Sequence, residues 1–382
     1  MLDKKLLKNF DFMIVILICL LVGFGAIGIG IAMRSPTEGQ GGITEMIGNF
    51  NLKYVQLHLL WAATGLVLML ITASIDYNVL KDMSAYIYWI IVALLLYVDA
   101  KGNVAGNAQS WIVLGPFKLQ PSEFAKLAII ITTAKVLSKD EESDGKLSHL
   151  KDLIPLIVKI AIPLVLVAIQ PDFGTATVFM AIIFGILFVA GISYKLLFGI
   201  IGAGVACIPL LWFGFLSDVQ KNRILVFLNP GLDPLGEGYH VTQSLIAIGS
   251  GQIYGKGLLT DNTLSQLNFL PAKHTDFIFS VTAEALGFMG GIIIILLYLA
   301  LIIRTMKIAS KSKDKFGALL VTGVASMIMF HIFENIGMTM GLMPVTGIPL
   351  PFMSYGGSSM WTNMIAYGMV LSVGMRRQKI KF

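Results

Sequence analysis

Over 382 residues the chain is 56% hydrophobic and only 13% charged, against roughly 25% charged for an average soluble domain. Spread over long uncharged runs, that balance excludes an ordinary water-soluble enzyme. The net charge of +6 is no sign of nucleic acid, because the basic residues flank apolar runs and do not cluster in one water-facing domain.

A bilayer core takes about 20 apolar residues per helical span, and in lipid the backbone has to satisfy its own hydrogen bonds. Ten runs qualify: 11–33, 53–74, 84–99, 122–137, 153–170, 174–190, 195–215, 276–303, 317–341 and 355–375, the third and fourth being short. The expected fold is an all-α polytopic membrane protein of about ten transmembrane helices. With no internal repeat, one membrane domain fills 1–382. The first run follows Lys4, Lys5 and Lys8; too long for a cleaved signal peptide and without a small-residue cleavage site, it reads as a retained helix. Cys19 and Cys207 sit inside apolar runs and read as packed thiols.

Ten spans put both termini on one side. With that side cytoplasmic, the outward segments hold only eight of the 28 basic residues, namely Arg34, Lys53, Lys101, Lys118, Lys221, Arg223, Lys256 and Lys273. Lys126 and Lys159 lie within spans. This is the positive-inside bias. It places the longest segment outside the spans, 216–275, on the outer face between the seventh and eighth helices. Residues 223–228 and 239–248 mix apolar with polar side chains, and Asn229-Pro230-Gly231 and Asp233-Pro234 punctuate them. Short surface helices suit that pattern.

Four outward stretches carry candidate chemistry, because an ionisable residue near a span end is costly without a partner or a task. In 118–126, Pro121 suits a first helical turn. Glu123 and Lys126 are three apart and can pair, either to fix the helix or to work. In 170–175, Asp172 can cap the sixth helix or line a site. In 269–279, Asp276 opens a long apolar helix directly after Lys273 and His274. Asp276 can favour the helix dipole or act as a general base, and the cations beside it can hold a pyrophosphate. Glu284, further along, is expected to find a structural partner. In 344–359, Pro344, Pro349 and Pro351 force a non-helical link, and Gly356-Gly357 permits close backbone approach to an anion, a sugar or a packed neighbour. No P-loop or dinucleotide pattern occurs, and the five histidines never fall at metal-ligand spacing. The residues alone reach a membrane enzyme or transporter with an outward polar site.

Together these stretches resemble the SEDS family of bacterial membrane proteins over nearly the whole chain. The resemblance rests on Leu119-Gln120-Pro121-Ser122-Glu123, Gln170-Pro171-Asp172-Phe173-Gly174-Thr175, Gly238-Tyr239-His240 with Gln243-Ser244, His274-Thr275-Asp276-Phe277-Ile278-Phe279 and Ser354-Tyr355-Gly356-Gly357-Ser358. Gln170-Pro171-Asp172, Tyr239-His240 and Gly347-Ile348-Pro349-Leu350-Pro351 are closest to the RodA-type branch, as distinct from FtsW.

The resemblance implies a peptidoglycan glycosyltransferase that polymerises lipid II on the outer face of the plasma membrane for elongation and rod shape. It also implies a class B penicillin-binding protein as partner. It makes Asp276 the essential carboxylate and raises Glu123 and Lys126 above a structural pair. Substrate contacts are expected from Lys118, Glu123, Lys126, Asp172, Arg223, Gln243, Lys256, Lys273, His274 and Ser358. No cofactor is demanded; a Mg or Mn ion could share the charge neutralisation, although the sequence shows no dedicated cage for one. Two positions depart from the family pattern: Ser110 stands where an Arg often precedes the Trp, and Ala285 where a second carboxylate often follows Glu284. A lipid II flippase and a non-enzymatic scaffold of the cell-wall machinery are the alternatives.

Overall fold

Each predicted apolar run becomes a helix, and the helices pack as a bundle whose polar work is concentrated at one end. The computed structural model describes residues 8–34, 51–105, 108–114, 117–138, 150–170, 172–214, 216–261, 263–267 and 269–377. Lys4, Lys5, Lys139, Lys146, Lys379 and Lys381, part of the basis for the orientation, lie outside them, as does Pro171 of the second motif.

In chain order the helices are α1 (Phe12–Ala32), α2 (Leu52–Ser74), α3 (Tyr77–Lys101), α4 (Pro121–Ser138), α5 (Leu150–Ile169), α6 (Phe173–Ala190), α7 (Tyr194–Gly214), α8 (Asp218–Leu228), α9 (Glu237–Ser250), α10 (Ile278–Ala309), α11 (Lys315–Thr339) and α12 (Gly357–Met375). Seven of them, α1, α2, α3, α6, α7, α10 and α11, are long and apolar enough to cross a membrane. Helices α4, α5 and α12 occupy the other three predicted spans. α4 carries Glu123, Lys126 and Lys135, and α12 is rich in Ser, Thr, Asn and Gly.

Three features differ from the sequence expectation. The third span is longer than 84–99, because Lys81 and Asp82 interrupt the apolar run without ending the helix. Asp76 caps α3, its carboxylate accepting from the Asn78 amide at 2.9 Å. The loop between α3 and α4 folds into a small antiparallel sheet, β1 (Asn103–Ala105), β2 (Ala108–Leu114) and β3 (Phe117–Leu119), with Ile112 opposite Leu119 and Val113 opposite Lys118. Strands this short carry too little periodicity to read from sequence. Finally, α10 is interrupted at Gly287, whose φ of 67° belongs to the left-handed region. The backbone there is satisfied by the segment 252–257: the Lys256 and Gly257 amides donate to the Glu284 and Ala285 carbonyls, and the Phe288 and Met289 amides donate to Gln252 and Ile253. A broken span survives only where protein supplies the lost partners.

The centre of the bundle is α4, α6 and α11, with α12 and α10 alongside. Ile130, Ile182, Ile186, Leu320, Val324 and Ile328 are wholly buried there. Lipid tails are as apolar as leucine, so close van der Waals packing and interhelical polar contacts hold such helices together. The segment 216–275 folds into α8 and α9 with a short 3-10 turn, Pro230–Leu232, between them.

Candidate active site

The N-termini of α4, α6 and α12, with the turn just before α10, meet around one cavity of about 340 Å³. Its walls include Ser110, Trp111, Gln120, Glu123, Asp172, Arg223, Asp276, Thr346, Gly347, Tyr355 and residues 356–359. Helix N-termini carry partial positive charge and unpaired amides. The cavity is therefore electropositive before any side chain is counted.

Asp276 does not begin the helix as the sequence suggested; it directly precedes Phe277, the N-cap of α10, which makes no side-chain capping bond. It stands in a tight turn in which the Ala272 carbonyl accepts from the amides of Thr275, Asp276 and Phe277 at 3.1–3.3 Å. The turn is tied down from three sides. Asn335 Nδ2 donates to the Asp276 carbonyl at 2.8 Å, Ser354 Oγ donates to the Thr275 carbonyl at 2.6 Å, and the Tyr355 amide donates to the His274 carbonyl at 2.9 Å. Burial pushes the Asp276 carboxyl up to about 6; Thr275 and Arg223 pull it down, and Glu237 adds to the rise. The result is a carboxylate still mostly ionised at neutral pH yet more basic than usual.

Gly347 faces this carboxylate. Its φ is +75°, and a Cβ there would stand 3.7 Å from Asp276 Oδ2. Arg223, on α8, donates to the Thr346 carbonyl at 3.4 Å and pairs with Glu237 at 3.4 Å. A Ser217–Gln220 capping box fixes the start of α8.

On the other wall, Glu123 and Lys126 pair at 2.7 Å, both almost completely buried. Lys126 Nζ also lies 3.0 Å from His331 Nε2. His331 Nδ1 is 2.7 Å from the Met327 carbonyl, so the ring proton belongs on Nδ1 and Nε2 accepts from the lysine. Glu123 Oε2 and Ser110 Oγ are buried without partners, and both residues line the cavity. Asp172 is fully engaged: it accepts from the Thr175 amide and hydroxyl, from Ser122 Oγ and from Gln120 Nε2 at 2.8–3.2 Å. It caps α6 and ties α4 to it. Ser358 Oγ donates to the Lys118 carbonyl and accepts from the Gln120 amide, both at 3.1 Å. The N-cap of α12, Gly356, makes no side-chain capping bond.

Thus Asp276, Glu123, Asp172, Arg223 and Ser358 meet in the cavity. The other sequence candidates stand outside its lining. Lys126 acts from behind Glu123. Lys118 is exposed on β3 and reaches the site through its carbonyl. Lys256 is committed to Glu284 at 2.8 Å. Glu284 also accepts from Leu264 and Ser265, so its expected structural partner is found. Lys273 is buried and donates to the Ser265 carbonyl at 2.5 Å. His274 packs edge-on against Tyr54; burial, then the nearby Lys273, holds its pKa below the usual value, which favours the neutral ring. Gln243 sits half-buried on α9. Among the described cavity-lining residues the cation is Arg223.

Sequence reading passed over Asn335 and His331. The signal was there: His331, Glu334 and Asn335 fall at i, i+3 and i+4 in an apolar span, which places three polar groups on one helical face.

Comparison with known proteins shows what the whole chain is similar to. The profile of the FtsW/RodA/SpoVE family, described as cell cycle proteins, matches residues 13–379. The peptidoglycan glycosyltransferase MrdB of Escherichia coli is 41% identical over 318 residues, covering 83% of this chain and 85% of that protein. The peptidoglycan glycosyltransferase RodA of Treponema pallidum is 33% identical, covering 97% and 98%. Among solved structures, a chain of a peptidoglycan synthase complex that coordinates polymerization and crosslinking superposes with a TM-score of 0.78 at 28% identity, covering 96% of this chain and 98% of that one. The rod shape determining protein RodA of Thermus thermophilus superposes at 0.69 with 25% identity, covering 97% and 98%.

Proposed function

This chain belongs to the FtsW/RodA/SpoVE family of cell cycle proteins and is a multi-pass membrane peptidoglycan glycosyltransferase; from that premise we propose that it polymerises lipid II in the cavity beneath Asp276. The observation that carries the reading is the shared cavity itself. A carboxylate of raised basicity, a guanidinium and the uncapped N-terminus of a long helix line one space.

The chemistry is a single inverting displacement. Asp276 takes the proton from the acceptor sugar's 4-hydroxyl, a role worth about 10²–10⁴ in rate. The acceptor oxygen bonds to the donor's anomeric carbon. The bond from that carbon to the polyprenyl pyrophosphate breaks, and its electron pair leaves with the phosphate. Arg223 and the N-terminal amides of α12 stabilise that departing anion. Glu123 Oε2 and Ser110 Oγ offer open hydrogen-bonding positions to sugar or peptide groups. Among the described residues no three His, Cys, Asp or Glu side chains are grouped to hold a metal ion. The lipid tails enter sideways from the bilayer.

In this reading the segment 216–275 lies outside the plasma membrane, both termini are cytoplasmic, and a class B penicillin-binding protein is the cross-linking partner. Purified chain given lipid II should produce glycan strands that muramidase digests. Asp276→Ala should remain folded and inserted and make none. Polymer from Asp276→Ala would remove that residue from the mechanism, and lipid translocation without glycan from the unaltered chain would favour a flippase.

A further inference from the structure

The far end of α4 borders a second cavity, of about 410 Å³. Thr132 stands about 14 Å along that helix from Glu123 at 1.5 Å rise per residue, and Lys135 lies in its last turn. The remaining walls are residues of α3, including Tyr88 and Trp89, and of α5, including Val158 and Lys159. None of these takes part in the catalytic cavity.

Three features say what fits there. The first is cationic. Pro163 has no amide proton, so the Lys159 carbonyl lacks its helical donor. Tyr88 Oη fills that place at 2.8 Å and fastens the backbone of Lys159 to α3. Lys159 is exposed at the rim; Lys135 lines the cavity as well, with a polar contact of its own. The second is a vacancy. Thr132 is 7% exposed, and its Oγ1 is buried without a hydrogen-bond partner, an expensive state that an oxygen-rich occupant relieves. The third is an apolar doorway: Trp89 is 60% and Val158 57% exposed on the outer surface of the bundle, where acyl chains run. Trp89 and Lys159 lie near the middle of α3 and α5, at the depth of acyl chains. Lys135 is in the last turn of α4, and the long stem of a lysine such as Lys159 snorkels toward the headgroups.

We propose that this cavity binds one anionic phospholipid of the leaflet opposite the catalytic cavity. Its phosphate and glycerol oxygens meet Lys159, Lys135 and the Thr132 hydroxyl, and its acyl chains lie along Trp89 and Val158. A zwitterionic lipid brings its own cation close to the two lysines and binds less well.

Trp89 makes the site readable. The full-length chain is placed in vesicles holding equal mole fractions of bromine-labelled phosphatidylglycerol or phosphatidylcholine, and the quenching lost in Trp89→Phe is taken as the Trp89 signal. Phosphatidylglycerol should win by about five-fold, the worth of one lysine near a lipid surface. Lys159→Arg should keep that preference, and Lys159→Gln combined with Thr132→Val should abolish it. Excess soluble glycerol phosphate should leave the quenching unchanged. Equal quenching by the two lipids in the unaltered chain, a preference that survives the double substitution, or displacement by soluble glycerol phosphate would each overturn the assignment.

Discussion

Asn335 donates through one amide nitrogen to the backbone carbonyls of both Asp276 and Ile348, each at 2.8 Å. A single side chain in α11 thereby sets the height of the turn that carries Asp276 and of the loop that carries Gly347. Asn335→Ala leaves two carbonyls short of a donor, at about 1–3 kcal/mol for each buried group left unsatisfied. The turn should shift, and misplacement of that order lowers rate about 10²-fold. Steady-state kinetics of glycan formation should show the loss in kcat with KM little changed; a loss confined to KM would assign Asn335 to substrate binding.

The acid limb of the pH profile reports Asp276. A base must be deprotonated, so activity should fall about tenfold per pH unit below about 6 and level off above it. Arg223 lowers that pKa and Glu237 raises it. Arg223→Gln should therefore move the limb to higher pH, and Glu237→Gln should move it lower. Initial polymerisation rates between pH 5 and 8, on the order of the usual assay range, decide this; a limb unmoved by both substitutions would disconnect it from Asp276.

Lys126 and Glu123 form a buried pair, 2.7 Å apart. Lys126→Met strands the carboxylate and should cost about 3–5 kcal/mol, seen as a lower Tm in detergent. The double variant Glu123→Gln with Lys126→Met removes the stranded charge and should recover most of that stability. It should stay poorly active, because Glu123 Oε2 no longer offers a charged acceptor to the cavity. Full activity in the double variant would reduce the pair to a structural one.

Gly347→Ala tests the space in front of the carboxylate. The left-handed φ of +75° costs an alanine about 1–2 kcal/mol, and the new methyl would stand 3.7 Å from Asp276 Oδ2. Polymerisation should fall by at least about tenfold, while the chain melts only modestly earlier. Unchanged turnover in a gel-based glycan assay would show that no substrate atom passes between Gly347 and Asp276.

Much of this molecule is written along the chain. Every predicted apolar run holds a helix, because a segment in lipid has no other way to pair its amides. Asp172 as a helix cap and Glu123 with Lys126 as a pair follow from spacing alone. The break at Gly287 and the sheet before α4 do not, since both depend on what a distant segment supplies. The same limit applies to the cations. Lys256 and Lys273 look as available as Arg223 in the sequence, yet Glu284 and the Ser265 carbonyl claim them.

By itself, then, the sequence determined which apolar runs form helices and the types of polar residue at their ends, because hydrocarbon solvent enforces both locally. Only the tertiary structure decided which of those residues share a cavity. A side chain's direction, its ion partner and the burial that raises the Asp276 pKa are set by helices far apart in the chain, and no local pattern encodes the contacts between them.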